Sequence, residues 1–253
     1  MNTSKRKLVA ALACRNTGSR LYGKPLQNLD VDAQICILDN IVESLRLSQC
    51  IHEIVLGVSE GIENEIFIEY ATANDLQYVV GDEDDVLSRL IMCGEVSNAT
   101  DVFRVTTESP FRYFEADLEV WNKHQESKND ATFLEGIVDG CGFEIIKLDA
   151  LQISHQQGEK KHRSEMCTLY IRENPGKFKI EKVQPPRQLV RPDLRLTVDN
   201  PEDLVVCRKV YMKFKHLAPM IPVTSIVNYL DQSPELIQLI EPYTEQGYST
   251  MYL

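Results

Sequence analysis

No stretch of this chain approaches the roughly 20 apolar residues that cross a bilayer, so no helical membrane span is expected. Its opening, "MNTSKRKLVAALAC", imitates a lipoprotein leader, but the apolar run from Leu8 to Ala13 is shorter than the roughly 7–15 residues of such a leader, and it reads better as a strand. There is no C-x-x-C pair, and none of the seven cysteines stands at zinc-ligand spacing with a histidine. Reduced, buried thiols in a cytoplasmic protein are therefore expected. Internal repeats, low-complexity tracts and long linkers are absent from the 253 residues, a length that supports a sizeable core. Positive charge is scarce overall: the net charge of −11 excludes a broad nucleic-acid-binding surface. Negative charge is what the first 29 residues lack. Lys5, Arg6, Lys7, Arg15, Arg20 and Lys24 all precede Asp30, the first carboxylate. A basic island in an acidic chain suits a small, highly charged anion better than a polymer. Lys5 to Lys7 read as a solubilising terminus, whereas Arg15, Arg20 and Lys24 stand among glycines.

The apolar pattern alternates strand and helix. "KLVAALAC" and "EIVLGVS" are apolar runs of the kind buried in a parallel sheet, and "LQYVV" and "DVFRVTT" read as a third and a fourth strand. Between them, "ICILDNIVESLRLS", "IENEIFIEYATAND" and "DEDDVLSRLIMCGEVSN" have helical spacing, the last opening on acids that suit a helix N-terminus. Such βαβ units predict an α/β fold whose ligand lies beyond the carboxyl ends of the strands. Residues 15–24, 81–89 and 107–110 fall at that edge. In the second half, "GFEIIKL", "KFKIEKV" and "DLRLTVD" read as strands and "SEMCTLYIREN" as a helix. "NPEDLVVCRKVYMKF" reads as a helix with Asn200 as N-cap and Pro201 in its first turn. "TSIVNYLDQSPELIQLI" reads as one final helix before a polar tail. His162 is expected in a solvated segment and Trp121 in the core.

"RNTGSRLYGKPL" places Gly18, Gly23 and Lys24 at the spacing of a Walker A loop, G-x-x-x-x-G-K-[ST]. Pro25 stands where the magnesium-binding hydroxyl belongs and has no N–H to offer a phosphate. The following "LQNLDVDAQ" reads as loop rather than helix, so a P-loop ATPase is excluded. A phosphate-binding design remains. Glycines let backbone N–H groups approach a polyphosphate, and three cations within ten residues engage its oxygens.

These residues carry a resemblance. "ACRNTGSRLYGKPL" is similar to the signature loop of the CMP-sugar synthetase-like cytidylyltransferases (acylneuraminate and KDO cytidylyltransferases), A-R-x-G-S-x-R-L-x-G-K. "DEDDVLSRL", "VFRVTTESPF", "RSEMCTLYIRENPGKF" and "RLTVDNPEDL" resemble further motifs in order, particularly those of the spore-coat polysaccharide (SpsF-type) branch, from about residue 8 to 213. The resemblance implies a Rossmann-like nucleotide-diphospho-sugar transferase fold with a mostly parallel central sheet, one domain over residues 1–253, and an inserted acceptor and dimerisation region around 130–190. It implies transfer of CMP from CTP to an acidic sugar of 2-keto acid type, with Mg²⁺ and release of pyrophosphate, for surface polysaccharide or glycan assembly. A homodimer is the implied assembly. Arg15, Gly18, Ser19, Arg20 and Lys24 would hold the triphosphate, with Arg15, Arg20 and Lys24 stabilising the leaving pyrophosphate. Asp85 and Arg89 would flank the nucleotide, Glu108 and Asp199 would bind the metal, and Glu144, Glu165 and Arg195 would face the acceptor. Each has a plainer reading: Asp85, with Asp84, as a complement to a helix dipole, Arg89 as a surface helix residue, Glu108 as a surface acid, Asp199 as a turn before a helix. The chain departs from the pattern at Glu108, where aspartate is usual, at Tyr22 for proline, at Gly142 for aspartate, and at Ser164 and Met166 for arginine and histidine. The acceptor side is thus altered. Transfer to a phosphorylated small molecule, or a non-catalytic nucleotide-binding relative, stands as the alternative.

Overall fold

In a computed structural model, residues 6–18 and 20–249 are described. The strands are β1 (Leu8–Cys14), β2 (Asn28–Asp30), β3 (Ile35–Cys36), β4 (Glu53–Ser59), β5 (Gln77–Gly81), β6 (Asp101–Arg104), β7 (Ala131–Leu134), β8 (Phe143–Lys147) and β9 (Ile180–Val183). The helices are α1 (Ile37–Arg46), α2 (Glu65–Ala73), α3 (Val86–Val96), α4 (Asp117–Glu126), α5 (Leu148–Gln157), α6 (Leu169–Glu173), α7 (Pro201–Phe214), α8 (Val223–Asp231) and α9 (Pro234–Ser249). Seven strands form one sheet in the order β5-β4-β1-β6-β8-β7-β9, parallel throughout except where β8 runs against β6 and β7. The mostly parallel α/β fold expected from the sequence is the fold observed.

The centre of the sheet is covered on both faces, which is why β1 and β4 read as continuous apolar runs; the edge strand β5 is not, with Tyr78 and Val80 exposed. Leu8, Ala10 and Leu12 of β1 pack with α1, α2, α4, α7 and α8, while Val9 and Ala11 face the opposite layer with α3, α5 and α6. The chain leaves β1 for β4 and β5 on one side, then returns to place β6 on the other. The chain order thus switches beside β1, and the carboxyl edge at such a switch is where these sheets bind ligands.

Several local expectations are corrected. "LQNLDVDAQ" is not plain loop: Lys24–Leu26 form a single 3₁₀ turn with Pro25 buried, and β2 and β3 form a small antiparallel pair. The acids before α3 lie outside it, with Asp85 as N-cap accepting from Ser88 N at 2.8 Å. "DLRLTVD" makes no strand. Leu194, Leu196 and Val198 are buried in the core, but the segment is held by single bonds, Leu196 N to Asp139 O at 2.7 Å and Val198 N to Glu108 O at 2.9 Å. The final apolar stretch is two helices broken at Gln232–Ser233, and α9 continues through Pro242 to Ser249. Strand β7 and helices α4 and α5 went unread. Arg6 and Lys7 are not solubilising: Arg6 pairs with Asp101, and Lys7 Nζ reaches Glu53 at 2.7 Å and Ser97 O at 2.6 Å. Lys5 lies outside the described residues. His162 is buried rather than solvated, its Nε2 2.8 Å from Glu173 and its Nδ1 accepting from Glu159 N at 2.7 Å. Trp121 is in the core, as expected, and all seven cysteines are free and buried. Among the described residues no helix is long and apolar enough to cross a membrane.

Candidate nucleotide-binding site

The loop after β1 owes its shape to its small residues. Gly23 takes φ +58°, a conformation that favours glycine, and closes the loop by donating its N–H to Asn16 O at 3.0 Å. A Cβ on Gly23 would lie 2.9 Å from Asn16 Oδ1, and one on Gly18 would lie 2.4 Å from Leu21 O. Asn16 is the post around which the loop winds. Its N–H donates to Asn64 Oδ1 at 2.7 Å, and its Nδ2 donates to Glu63 O at 2.9 Å and to Tyr22 at 3.0 Å. Neither Asn16 nor Asn64 was singled out from the sequence, because the contacts that join them, Asn16 to Glu63 and Asn64, span 47 and 48 residues and leave no local spacing. Ser19 lies outside the described residues.

The three loop cations face carboxylates from the far half of the chain. Lys24 Nζ is 2.6 Å from Asp199 Oδ1, Arg20 is 3.3 Å from the same oxygen, and Arg15 is 3.2 Å from Glu165 Oε1. Asp199 also receives Arg195 at 2.7 Å on its other oxygen. Burial pushes the Asp199 carboxyl up, but the hydrogen bond from Lys24 and the charges of Lys24, Arg20 and Arg195 together hold it below its ordinary value. Asp199 sits at the entry of α7, where Asp203 Oδ2 accepts the backbone N–H groups of Asp199 and Asn200 at 3.0 and 2.8 Å. It is therefore both a helix-entry residue and the centre of a charge cluster.

Glu108, on the loop after β6, is brought to the same cluster. Burial pushes its carboxyl up, Lys24 offsets part of that, and Asp199 adds to it. The two residues expected to bind metal thus lie in each other's field, with Lys24 between them in charge. The donor set fits a hard divalent cation. Among the described residues no group of three or more His, Cys, Asp or Glu could cage an ion, and a pair of carboxylates completed by phosphate oxygens is what Mg²⁺ prefers.

Arg89 is buried rather than exposed, on the inner face of α3. Gly57 and Gly81 make room for it: a Cβ at Gly81 would stand 2.9 Å from Arg89 Cγ. Among the described residues its Nε and Nη1 lack a hydrogen-bond partner, and burial pushes its pKa down. A buried guanidinium with spare donors is costly unless something accepts from it. Asp85 is committed elsewhere, to the α3 cap and to His155 Nε2 at 2.8 Å.

The residues expected at the acceptor fall in three different places. Glu165 is exposed and meets Arg15. Glu144 is buried in a network that sequence reasoning missed: Arg104 at 2.8 Å, Arg172 at 2.9 Å and Thr168 Oγ1 at 2.9 Å. Burial raises its carboxyl, but the two arginines outweigh that and leave it below the ordinary value. Arg172 also reaches Glu135 at 2.5 Å and stacks over Phe133. Arg195 is buried beneath Asp199 rather than open to an acceptor.

The fold is a Rossmann-like α/β fold, with cations and carboxylates gathered near its switch point. No family model matches the chain. It is 24% identical over 229 residues to the spore coat polysaccharide biosynthesis protein SpsF of Bacillus subtilis, covering 88% of this chain and 94% of that protein. A cytidylyltransferase from Leptospira borgpetersenii shares its fold with a TM-score of 0.82 and 20% identity, covering 92% of this chain and 98% of the other. The structure of CMP:2-keto-3-deoxy-manno-octonic acid synthetase complexed with CTP matches with a TM-score of 0.59 and 14% identity, over 82% of this chain and 99% of that one. The resemblance to the CMP-sugar synthetase-like family, read from the motifs, is borne out by relatedness to SpsF and by the shared fold.

Proposed function

We propose that this chain is a cytidylyltransferase that joins CMP from CTP to an acidic, 2-keto acid type sugar and releases pyrophosphate. The observation that carries the reading is the convergence of Arg20 and Lys24 from the glycine loop with Asp199 from the entry of α7, and of Glu108 in the same field. Three loop cations balance most of the charge of a triphosphate. Arg15, Arg20 and Lys24 bind the β- and γ-phosphates, and the loop N–H groups orient them. The acceptor hydroxyl oxygen then forms the bond to the α-phosphorus in line, the bond to the bridging oxygen of pyrophosphate breaks, and the hydroxyl proton passes to water. Charge developing on the leaving group falls on Lys24 and the two arginines, so positioning and electrostatics supply the rate. Glu108 and Asp199 would hold Mg²⁺, which when bound neutralises the phosphate oxygens and draws charge from the α-phosphorus. Arg89, whose Nε and Nη1 have no partner among the described residues, would offer hydrogen bonds to a base acceptor such as the cytosine carbonyl.

One observation favours a second reading, transfer to a different acceptor such as a phosphorylated small molecule. A Cβ at Gly142 would stand 2.5 Å from Leu134 O, so the family's usual aspartate has no room there. Incubation with CTP and Mg²⁺ against acidic sugars and sugar phosphates, read by pyrophosphate release and by mass of the CMP conjugate, separates the two. A conjugate with a 2-keto acid sugar supports the first reading. A conjugate with a sugar phosphate alone supports the second, and none from any acceptor contradicts both.

A further inference from the structure

Asp199 carries three cations on two oxygens, and the oxygens are not equivalent. Oδ1 takes the loop cations, Lys24 at 2.6 Å and Arg20 at 3.3 Å, while Oδ2 takes Arg195 Nη2 at 2.7 Å. The side chains of Arg20 and Lys24 are 42% and 21% exposed; that of Arg195 is 1% exposed. Arg195 is fixed from two further sides. Its Nη1 donates to the carbonyl of Tyr243 in α9 at 2.7 Å, and its Nε lies 3.0 Å from Asp203 Oδ1. Asp203 in turn accepts the backbone N–H of Asp199 at 3.0 Å through Oδ2. The loop cations can turn to another anion by rotating their side chains. Arg195 has nowhere to turn.

A triphosphate offers Lys24 and Arg20 several anionic oxygens where Asp199 offers one, so a bound nucleotide draws both cations off Oδ1. We infer that Arg195 is a positioning residue: it keeps hold of Asp199 Oδ2 when the loop cations turn to phosphate, so that the freed carboxylate would be presented to the metal. Without it, Asp199 has no fixed partner once the loop cations leave. Through Tyr243, the C-terminal helix α9 becomes part of the support for the site. The inference rests on the nucleotide and metal reading proposed above.

The test is calorimetric titration of CTP into the whole chain, with and without Mg²⁺, for wild type and Arg195→Lys. Lysine keeps the charge but lacks the planar fork that reaches Asp199, Asp203 and the Tyr243 carbonyl together. In the variant, CTP affinity without Mg²⁺ is expected to stay within about twofold, while the Mg²⁺ concentration for half-maximal enhancement rises by roughly 10–100-fold, as for other supports of metal ligands. An unchanged Mg²⁺ requirement, or a parallel fall of both affinities, overturns the inference and leaves the nucleotide reading standing. Wild-type CTP binding that ignores Mg²⁺ overturns the metal reading and the inference with it. If Arg195→Lys does not fold, arginine side-chain ¹⁵N resonances of the native chain decide. On addition of Mg²⁺ and CTP, the Arg20 signal moves and the Arg195 signal stays; equal movement of both overturns the inference.

Discussion

At the scale of single residues, the site is a balance of charges held at unequal cost. Lys24 is part-buried and serves Asp199, yet it comes from a loop that can offer it to phosphate. Lys24→Ala removes charge where pyrophosphate would develop it. Turnover with CTP is expected to fall by about 10²–10³-fold, the scale of losing one preorganised electrostatic donor. Thermal unfolding of the same variant should change little, because Lys24 is not in the core. Asp199→Asn keeps the shape but loses the carboxylate. Its pyrophosphate release should need more Mg²⁺, and an unaltered Mg²⁺ titration would contradict the role given to Asp199. The charged residues of the loop were legible in the sequence because glycines and a preceding strand framed them. Arg195 was singled out too, but for the acceptor: that it is buried beneath Asp199 could not be seen, because in sequence it looks like any polar residue of an alternating segment.

At the scale of elements, loop 15–24 works only in its wound form. Gly23→Ala places a side chain at φ +58° and against Asn16 Oδ1. A loss of about 1–3 kcal/mol in urea unfolding is expected, together with weaker CTP binding. If the variant is as stable as wild type, the loop is not closed by the Asn16–Gly23 contact. The elements of the first half were readable because strands buried on both faces leave continuous apolar runs, and "EIVLGVS" matches β4 residue for residue. "DLRLTVD" misled for a physical reason. Alternation reports that one face is buried, as it is at Leu194, Leu196 and Val198, but not that a neighbouring strand is there to pair. In α8 and α9 the apolar period runs across a break, and only Pro234, which begins the second helix, marks it. Strand β7 is four residues long and follows polar turn residues, too short for its pattern to stand out.

At the scale of the whole molecule, a buried charge network ties β6, β8 and α6 together through Arg104, Glu144 and Arg172. Because the folded Glu144 pKa lies below its ordinary 4.5, its contribution is fully present above about that pH and is lost as pH falls through the folded value. Urea unfolding between pH 3 and 6 should therefore show a shallower acid limb for Glu144→Gln than for wild type. Identical limbs would mean that the network does not stabilise the fold through this carboxylate. No local spacing announced these contacts, since Arg104 and Arg172 stand 40 and 28 residues from Glu144. The basic island of the first 29 residues, by contrast, was visible from composition alone, and the fold explains part of it differently. Arg6 and Lys7 fasten the start of β1, leaving Arg15, Arg20 and Lys24 for the site.

The central claim is that this site binds a nucleoside triphosphate, CTP in preference to others. Binding isotherms of CTP, UTP, ATP and GTP with the whole chain in Mg²⁺ test it without knowledge of the acceptor. Saturable binding of CTP, at least about tenfold tighter than the other three, is the predicted result. Equal affinity for all four, or binding of none, would contradict it.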